Sequence, residues 1–190
     1  MFVPPDKIET DRLWLRAFTP ADLDELHDIR SRPEVHTYLY GEALTRDEVK
    51  AKLDERIAKM SRLTQPGDSL LLAVVRKDTG AMIGDVNIEW LSGPHQQAEI
   101  GYVLHPDHYG KGFATEASRP LLRIAFEELK AHRVIGRLDA RNEASGRVLA
   151  KLGMRKEAHF VDNEFVKGEW CSEVVYAILA REWVARDSAG

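Results

Sequence analysis

Residues 8–18 alternate in polarity, with Leu13, Leu15 and Ala17 on one side and Arg12, Trp14 and Arg16 on the other. That period of two predicts a strand with one buried face. Thr19-Pro20 then has the chemistry of a helix start, a threonine cap followed by proline in the first turn. Leu23, Leu26 and Ile29 supply its apolar stripe, and Pro33 stops it. A loop of large side chains follows over 33–44, with His36, Tyr38, Leu39 and Tyr40. Thr45 and Glu48 form a capping box, and Val49, Leu53, Ile57 and Met60 recur at helical spacing, which predicts a second helix.

The pattern then changes period. Ser69 to Arg76 is almost wholly apolar and reads as a strand buried on both faces. Asp78-Thr79-Gly80 is a hairpin turn, Ala81 to Trp90 its partner strand, and Ala98 to Leu104 returns after a second turn. A third helix is expected over Thr115–Leu129, with Ala114, Ala117, Leu121, Ala125 and Leu129 as its packing face and Pro120 inside it at the cost of a hydrogen bond or a kink. Val134 to Leu138 is a short strand. A fourth helix runs to Leu152 and ends at Gly153. Met154 to Phe165 and Cys171 to Ala180 are the last strands. The order predicts an α+β fold in α/β/α layers, with about seven strands and about four helices. One central sheet starts antiparallel and becomes parallel where the third helix crosses over.

Composition narrows the class. At 190 residues, 44% hydrophobic and 31% charged, the chain is expected to form one domain over 1–190, with 186–190 as a frayed tail. A net charge of −4 argues against a nucleic-acid surface. The longest apolar runs fall far short of a membrane span, and the first residues lack the pattern of a signal peptide. No membrane partner and a cytoplasmic location are therefore expected. Cys171 is alone, so no intrachain disulfide can form, and the histidines show no metal spacing.

The stretch that carries chemistry is His105-Pro106-Asp107-His108-Tyr109-Gly110-Lys111-Gly112-Phe113-Ala114-Thr115-Glu116-Ala117. It joins a strand to a helix through two glycines, so unpaired amides face outward at the positive end of a helix dipole. Such a turn attracts phosphate. A P-loop is excluded, because His105 stands where its first glycine belongs and Gly112 where Ser or Thr belongs. A dinucleotide fingerprint is excluded because Thr115 takes the place of its last glycine and the loop follows a meander.

Gly110 to Ala117 closely resembles the acetyl-coenzyme A loop of the GCN5-related N-acetyltransferases. The branch it is most similar to acetylates protein N-termini, including those of ribosomal proteins. Thr10-Asp11-Arg12-Leu13-Trp14-Leu15-Arg16, Ala98-Glu99-Ile100-Gly101-Tyr102, Asn142-Glu143-Ala144-Ser145, Lys151-Leu152-Gly153-Met154 and Lys167-Gly168-Glu169-Trp170 carry the same resemblance in order. Tyr109 departs from it, standing where Gln or Arg is usual. The resemblance implies that amides from Gly110 through Lys111, Gly112, Phe113 and Ala114 to Thr115 hold a pyrophosphate. It also implies that the strand ending at Val103-Leu104-His105 splays from its neighbour and pairs with pantetheine, with Tyr109, Asn142 and Ser145 contributing. Acetyl-CoA is the implied cosubstrate, without a metal, and a homodimer would fit the family.

Acyl transfer to an amine needs a neutral nitrogen, a polarised thioester and a protonated or stabilised leaving thiolate. By resemblance, Glu164 matches a general base and Ser145 the donor to the thiolate. Glu99, beside the cofactor strand, is a second candidate base, with a cross-strand salt bridge as its alternative role. Tyr38, Tyr40, Trp90 and Trp170 are candidates for the acceptor pocket. The expected acceptor is a primary amine, first a protein N-terminal α-amine. The alternatives are a polyamine or aminoglycoside-like amine, favoured by an acidic cleft, and a CoA-binding module without catalysis.

Overall fold

The computed structural model describes residues 1–187, with side chains described to Trp183 in the last helix. The alternating first segment is two strands rather than one. β1 (Ile8–Glu9) turns back through Thr10, whose side chain bonds both the amide and the carbonyl of Leu13, into β2 (Leu13–Arg16). Thr19 and Asp22 open α1 (Leu23–Arg30), and Thr45 caps α2 (Arg46–Lys59) through the Glu48 amide. A meander of β3 (Ser69–Arg76), β4 (Met82–Ser92) and β5 (Gln97–Leu104) follows. The chain then forms α3 (Phe113–Arg123), β6 (Arg133–Asp139), α4 (Glu143–Lys151), β7 (Arg155–Val166), β8 (Glu169–Leu179) and α5 (Ala180–Asp187).

All eight strands join one sheet in the order β1-β2-β3-β4-β5-β6-β8-β7. Pairing is antiparallel except between β5 and β6, where α3 makes the crossover. The mixed sheet and its layers follow the expectation. The extra strand comes from the Thr10 turn. The extra helix, α5, takes Ala180, expected as the end of the last strand, and the unassigned residues after it, and it includes residues 186 and 187 of the supposed tail. Residues 188–190 lie outside the described residues.

The two faces of the sheet bury separate cores. α3 and α4 cover Leu13, Leu15, Leu72, Val86, Ile100 and Leu104 with Phe113, Ala117, Leu121, Leu122 and Leu149. α1 and α2 cover Ala73, Val75 and Met82 with Leu26, Ile29, Val49 and Leu53. Pro120 sits within α3 without ending it, and the helix widens into a π turn over Ile124–Glu128, closed by the Leu129 amide on the Ile124 carbonyl at 3.0 Å.

The feature that positions the site is a failure of pairing. β5 and β6 are joined only at Gln97–Arg133, Ala98–Val134 and Glu99–Ile135. Beyond Glu99 they diverge, while β4 stays paired with β5 to Leu104 and β8 with β6 to Asp139. A V-shaped gap therefore opens in mid-sheet between 100–104 and 136–139. Strand alternation decides which main-chain groups face it. The His105 amide donates to the Ile83 carbonyl at 2.8 Å, so 105, 103 and 101 bond toward β4. Ile100, Tyr102 and Leu104 turn their amides and carbonyls into the gap.

Candidate active site

At the end of β5 the chain makes a short turn, Pro106–His108, and enters α3 through Gly110 and Gly112. Both glycines have left-handed φ, +72° and +82°, which side-chain-bearing residues adopt only with strain. The amides of Gly110, Lys111, Gly112, Phe113, Ala114 and Thr115 have no acceptor among the described residues. The first closed turn of α3 begins with the Glu116 amide on the Gly112 carbonyl at 3.0 Å. Six consecutive unpaired donors at a helix start form a cradle for a phosphate chain.

The loop is held from behind by the start of the chain. The Glu116 carboxylate, in the first turn of α3, accepts from the Thr10 hydroxyl at 2.6 Å and from the Arg12 amide and Nε, each at 2.7 Å. The Arg12 guanidinium also donates to the Lys111 carbonyl at 3.1 Å and stacks on Phe113. These donors outweigh burial and hold the Glu116 carboxyl below its ordinary pKa. Thr10-Asp11-Arg12 was visible as a motif, but only the fold shows that it braces this loop.

Three of the expected cofactor contacts have main-chain groups already engaged within the protein. The Val103 carbonyl points at β4, since a Cβ built on Gly84 would lie 2.2 Å from it. Val103 is therefore spent on the sheet, and Tyr102 and Leu104 flank the gap. His105 uses its amide on Ile83, accepts from the Asp107 amide through Nδ1 at 3.1 Å, and lies with Nε2 3.1 Å from the Asp28 carboxylate. It caps a turn and has no main-chain donor left for a ligand. The Tyr109 amide is likewise bonded to the Pro106 carbonyl, leaving its exposed ring.

Asn142 is the cap of α4. Its side chain accepts from the Ser145 amide at 3.0 Å, which frees the Ser145 hydroxyl for other work. That hydroxyl lies 2.8 Å from the Tyr102 phenol, which also reaches the Ser145 carbonyl at 2.9 Å. Burial raises the Tyr102 phenol to about 12, so it stays protonated. Ser145 thus stands on the α3–α4 side of the gap with a phenol behind it.

The carboxylates lie on the other side. A cavity of about 170 Å³ opens on the α1–α2 face, roofed by the loop from Thr37 to Tyr40 and floored by the ends of β6, β7 and β8. Glu99, Asp139, Glu164, Glu169 and Glu173 line it, against Arg137, Arg141 and Lys167. Most of these charges are mutually paired. Arg137 holds Glu99 at 3.0 Å, and Arg141 bridges Asp139 and Glu169 at 2.6 and 2.7 Å. Glu99 therefore takes the salt-bridge role. Glu164 accepts the Tyr40 hydroxyl at 2.5 Å; partial desolvation of the phenol and then this bond raise it to about 12.

Glu173 was not singled out in the sequence, where it is one acid in an apolar strand. It is 8% exposed, and its carboxylate has no hydrogen-bond or ion-pair partner among the described residues. Burial, and then the charges of Glu164 and Glu99, hold its carboxyl above the usual range against the pull of Arg137.

A bulge shapes this end of the cavity. Phe160 faces Glu173 and Glu164 faces Cys171, so 161–163 stand opposite Ser172 alone. The two extra residues preserve alternation, so Glu164 and Glu173 share the cavity face. The aromatic expectations divide. Tyr38 and Tyr40 line the cavity, whereas Trp90 packs on the main core and Trp170 lies exposed against Phe165. Cys171 also lines it, but burial raises its thiol pKa, and its sulfur accepts from Arg141 at 3.2 Å.

Comparison with known proteins agrees with this architecture. The profile described as "Acetyltransferase (GNAT) domain" matches residues 12–155. The N-acetyltransferase YnaD of Bacillus subtilis, itself uncharacterized, is 32% identical over 177 residues, covering 93% of this chain and 98% of its own. The [ribosomal protein uS5]-alanine N-acetyltransferase of Escherichia coli is 25% identical over 185 residues, covering 95% and 94%. A crystal structure of a GNAT-family acetyltransferase from Bacillus anthracis superposes with a TM-score of 0.82 at 28% identity, covering 92% of this chain and 99% of that one.

Proposed function

The chain belongs to the GCN5-related N-acetyltransferase family, and from that premise we propose that it acetylates the α-amine of a protein N-terminus by direct transfer from acetyl-CoA. One observation carries the reading. The gap between β5 and β6 has a cradle of free amides at one end and an acid-lined cavity on the far face of the sheet. A thioester entering from the cradle side would meet an amine held in the cavity, with the sheet separating the two binding sites.

The roles follow from the geometry. The amides of Gly110 to Thr115 receive the pyrophosphate, and Tyr102 and Leu104 offer main-chain groups to an amide-bearing chain in the gap. Ser145, backed by the Tyr102 phenol, is the donor to the departing sulfur. Glu164 and Glu173 draw the cationic acceptor, and the loop over Tyr38 and Tyr40 closes around it.

The same cavity supports a second acceptor, a small polycationic amine. Once the internal pairs are counted, the uncompensated charge facing the cavity is that of two carboxylates, and a diammonium compound would match both. Mass spectrometry of reactions with acetyl-CoA separates the readings, using peptides of varied first residue beside spermidine and an aminoglycoside. Acetylation confined to peptide α-amines supports the first reading. Acetylation of the polyamine or aminoglycoside alone replaces it with the second, and failure of every amine with CoA still bound would leave a binding module.

A further inference from the structure

We propose that Glu173 is the group that takes the proton from the acceptor amine, and that Asn163 is its positioning residue. The inference rests on the cavity being the acceptor site. Among the carboxylates lining that cavity, Glu99, Asp139 and Glu169 are locked in arginine pairs, and Glu164 already accepts a phenol. Glu173 keeps every lone pair free while 92% of its surface is covered by protein. A base must have an open lone pair directed at its substrate, and it works best when its proton affinity lies near that of the working medium.

The bulge explains how such a group is tolerated. With 161–163 looped out, the Asn163 side-chain carbonyl accepts the Glu173 amide at 3.1 Å. The Ser172 hydroxyl similarly takes the Asp162 amide at 3.0 Å. The chain leading into Glu173 is thereby tied to the bulge at two points. The charged groups that line the cavity with it are Glu99 on β5, Arg137 and Asp139 on β6, Arg141 beyond it, Glu164 on β7, and Lys167 and Glu169 at the β7–β8 turn, with the titratable Cys171 on its own strand and Tyr38 and Tyr40 in the roof. Two of these carboxylates oppose ionisation of Glu173 and Arg137 favours it.

An acceptor ammonium gives one proton to the Glu173 carboxylate. The freed nitrogen pair attacks the acetyl carbonyl carbon, the new N–C bond forms and the C–S bond breaks. The nitrogen loses its second proton to solvent as the amide forms, the Ser145 hydroxyl gives its proton to the sulfur and is reprotonated from solvent, and Glu173 returns its proton to solvent, so that one proton is released overall.

The test compares Glu173→Gln with Glu164→Gln in the intact chain. It uses an amine that the wild type acetylates and also the slow transfer to water, read as free thiol release. Glu173→Gln is expected to lower kcat at least about 100-fold, the scale of a lost general base. KM for acetyl-CoA should stay within twofold, and the acid limb should vanish from the pH profile. Glu173→Asp should recover part of the rate with the limb shifted, and Asn163→Ala should move the limb without abolishing activity. The proposal is overturned if Glu173→Gln, with a normal melting temperature, keeps the wild-type rate or the wild-type acid limb. It is equally overturned if Glu164→Gln alone removes that limb. If no amine is acetylated but thiol release persists, the acceptor reading fails, and the thiol-release comparison still decides the role of Glu173.

Discussion

Replacing Glu116 by alanine tests whether the start of the chain holds the phosphate cradle. The Glu116 side chain is 14% exposed and receives three donors from Thr10 and Arg12. Its ion pair with half-exposed Arg12 contributes about 0.5–1 kcal/mol after solvent screening. The Arg12 amide is exposed and turns to water, so the further loss is the part-buried Thr10 hydroxyl bond, about 1 kcal/mol. An acid in the first turn of α3 adds about 0.5 kcal/mol. Glu116→Ala should therefore lose roughly 2 kcal/mol in urea unfolding, a sizeable part of the stability of an ordinary domain. Arg12 also anchors the Lys111 carbonyl, so the cradle loosens with it. CoA affinity by calorimetry should fall about tenfold, or 1.4 kcal/mol. Glu116→Gln keeps the volume and one acceptor and should show a smaller loss of both. A stability loss under about 1 kcal/mol with unchanged CoA affinity would refute the clamp.

Other substitutions separate conformation from contact. Gly110→Ala meets open space but a φ of +72°, so it should cost about 1–2 kcal/mol of strain and weaken CoA binding; equal affinity by calorimetry would contradict the cradle. Tyr40→Phe removes the hydroxyl on Glu164 and should raise acceptor KM several-fold with little change for acetyl-CoA, as steady-state kinetics would show. Buried Asp85 carries both Arg30 and Arg56, at 2.6 and 3.2 Å, and Asp85→Asn should cost about 3–5 kcal/mol by chemical unfolding because it strands two guanidinium groups. The carboxyls of Asp85, Asp22 and Glu116 all lie below their ordinary range, since arginine and hydroxyl partners outweigh burial. Their stabilisation is complete above the unfolded carboxyl pKa of about 4 and fades as pH falls through the lowered folded values. Acid unfolding followed by circular dichroism should therefore soften below about pH 4, and a wild-type acid profile for Asp85→Asn would contradict this.

What could be read in the sequence was local and periodic. The alternation around Leu13, the Thr45–Glu48 capping box and the Asp78-Thr79-Gly80 turn each specify their element through neighbouring residues alone, and the structure has each of them. The glycine loop was legible for the same reason, because positive φ and a helix start are local demands. α5 was missed because Val174 to Ala180 is continuously apolar, which hides the change from strand to helix at Ala180. The spent state of Val103 and His105 was invisible because it depends on ladder parity with β4. Glu173 was invisible for a further reason: its isolation is a property of what does not reach it, and that follows only from the pairing of Arg137 and Arg141 with other acids. The Phe160–Glu164 bulge could have hinted at it, through Asp162-Asn163, a polar pair with turn chemistry inside a strand.

In the proposed reaction donor and acceptor lie on opposite faces of one gap, so both must be bound at once for the acetyl group to cross. Initial rates measured while varying acetyl-CoA at several fixed amine concentrations test this most directly. Transfer in a ternary complex predicts intersecting double-reciprocal lines, with CoA competing against acetyl-CoA. Parallel lines, together with an acetylated Cys171 trapped in the absence of amine, would contradict it.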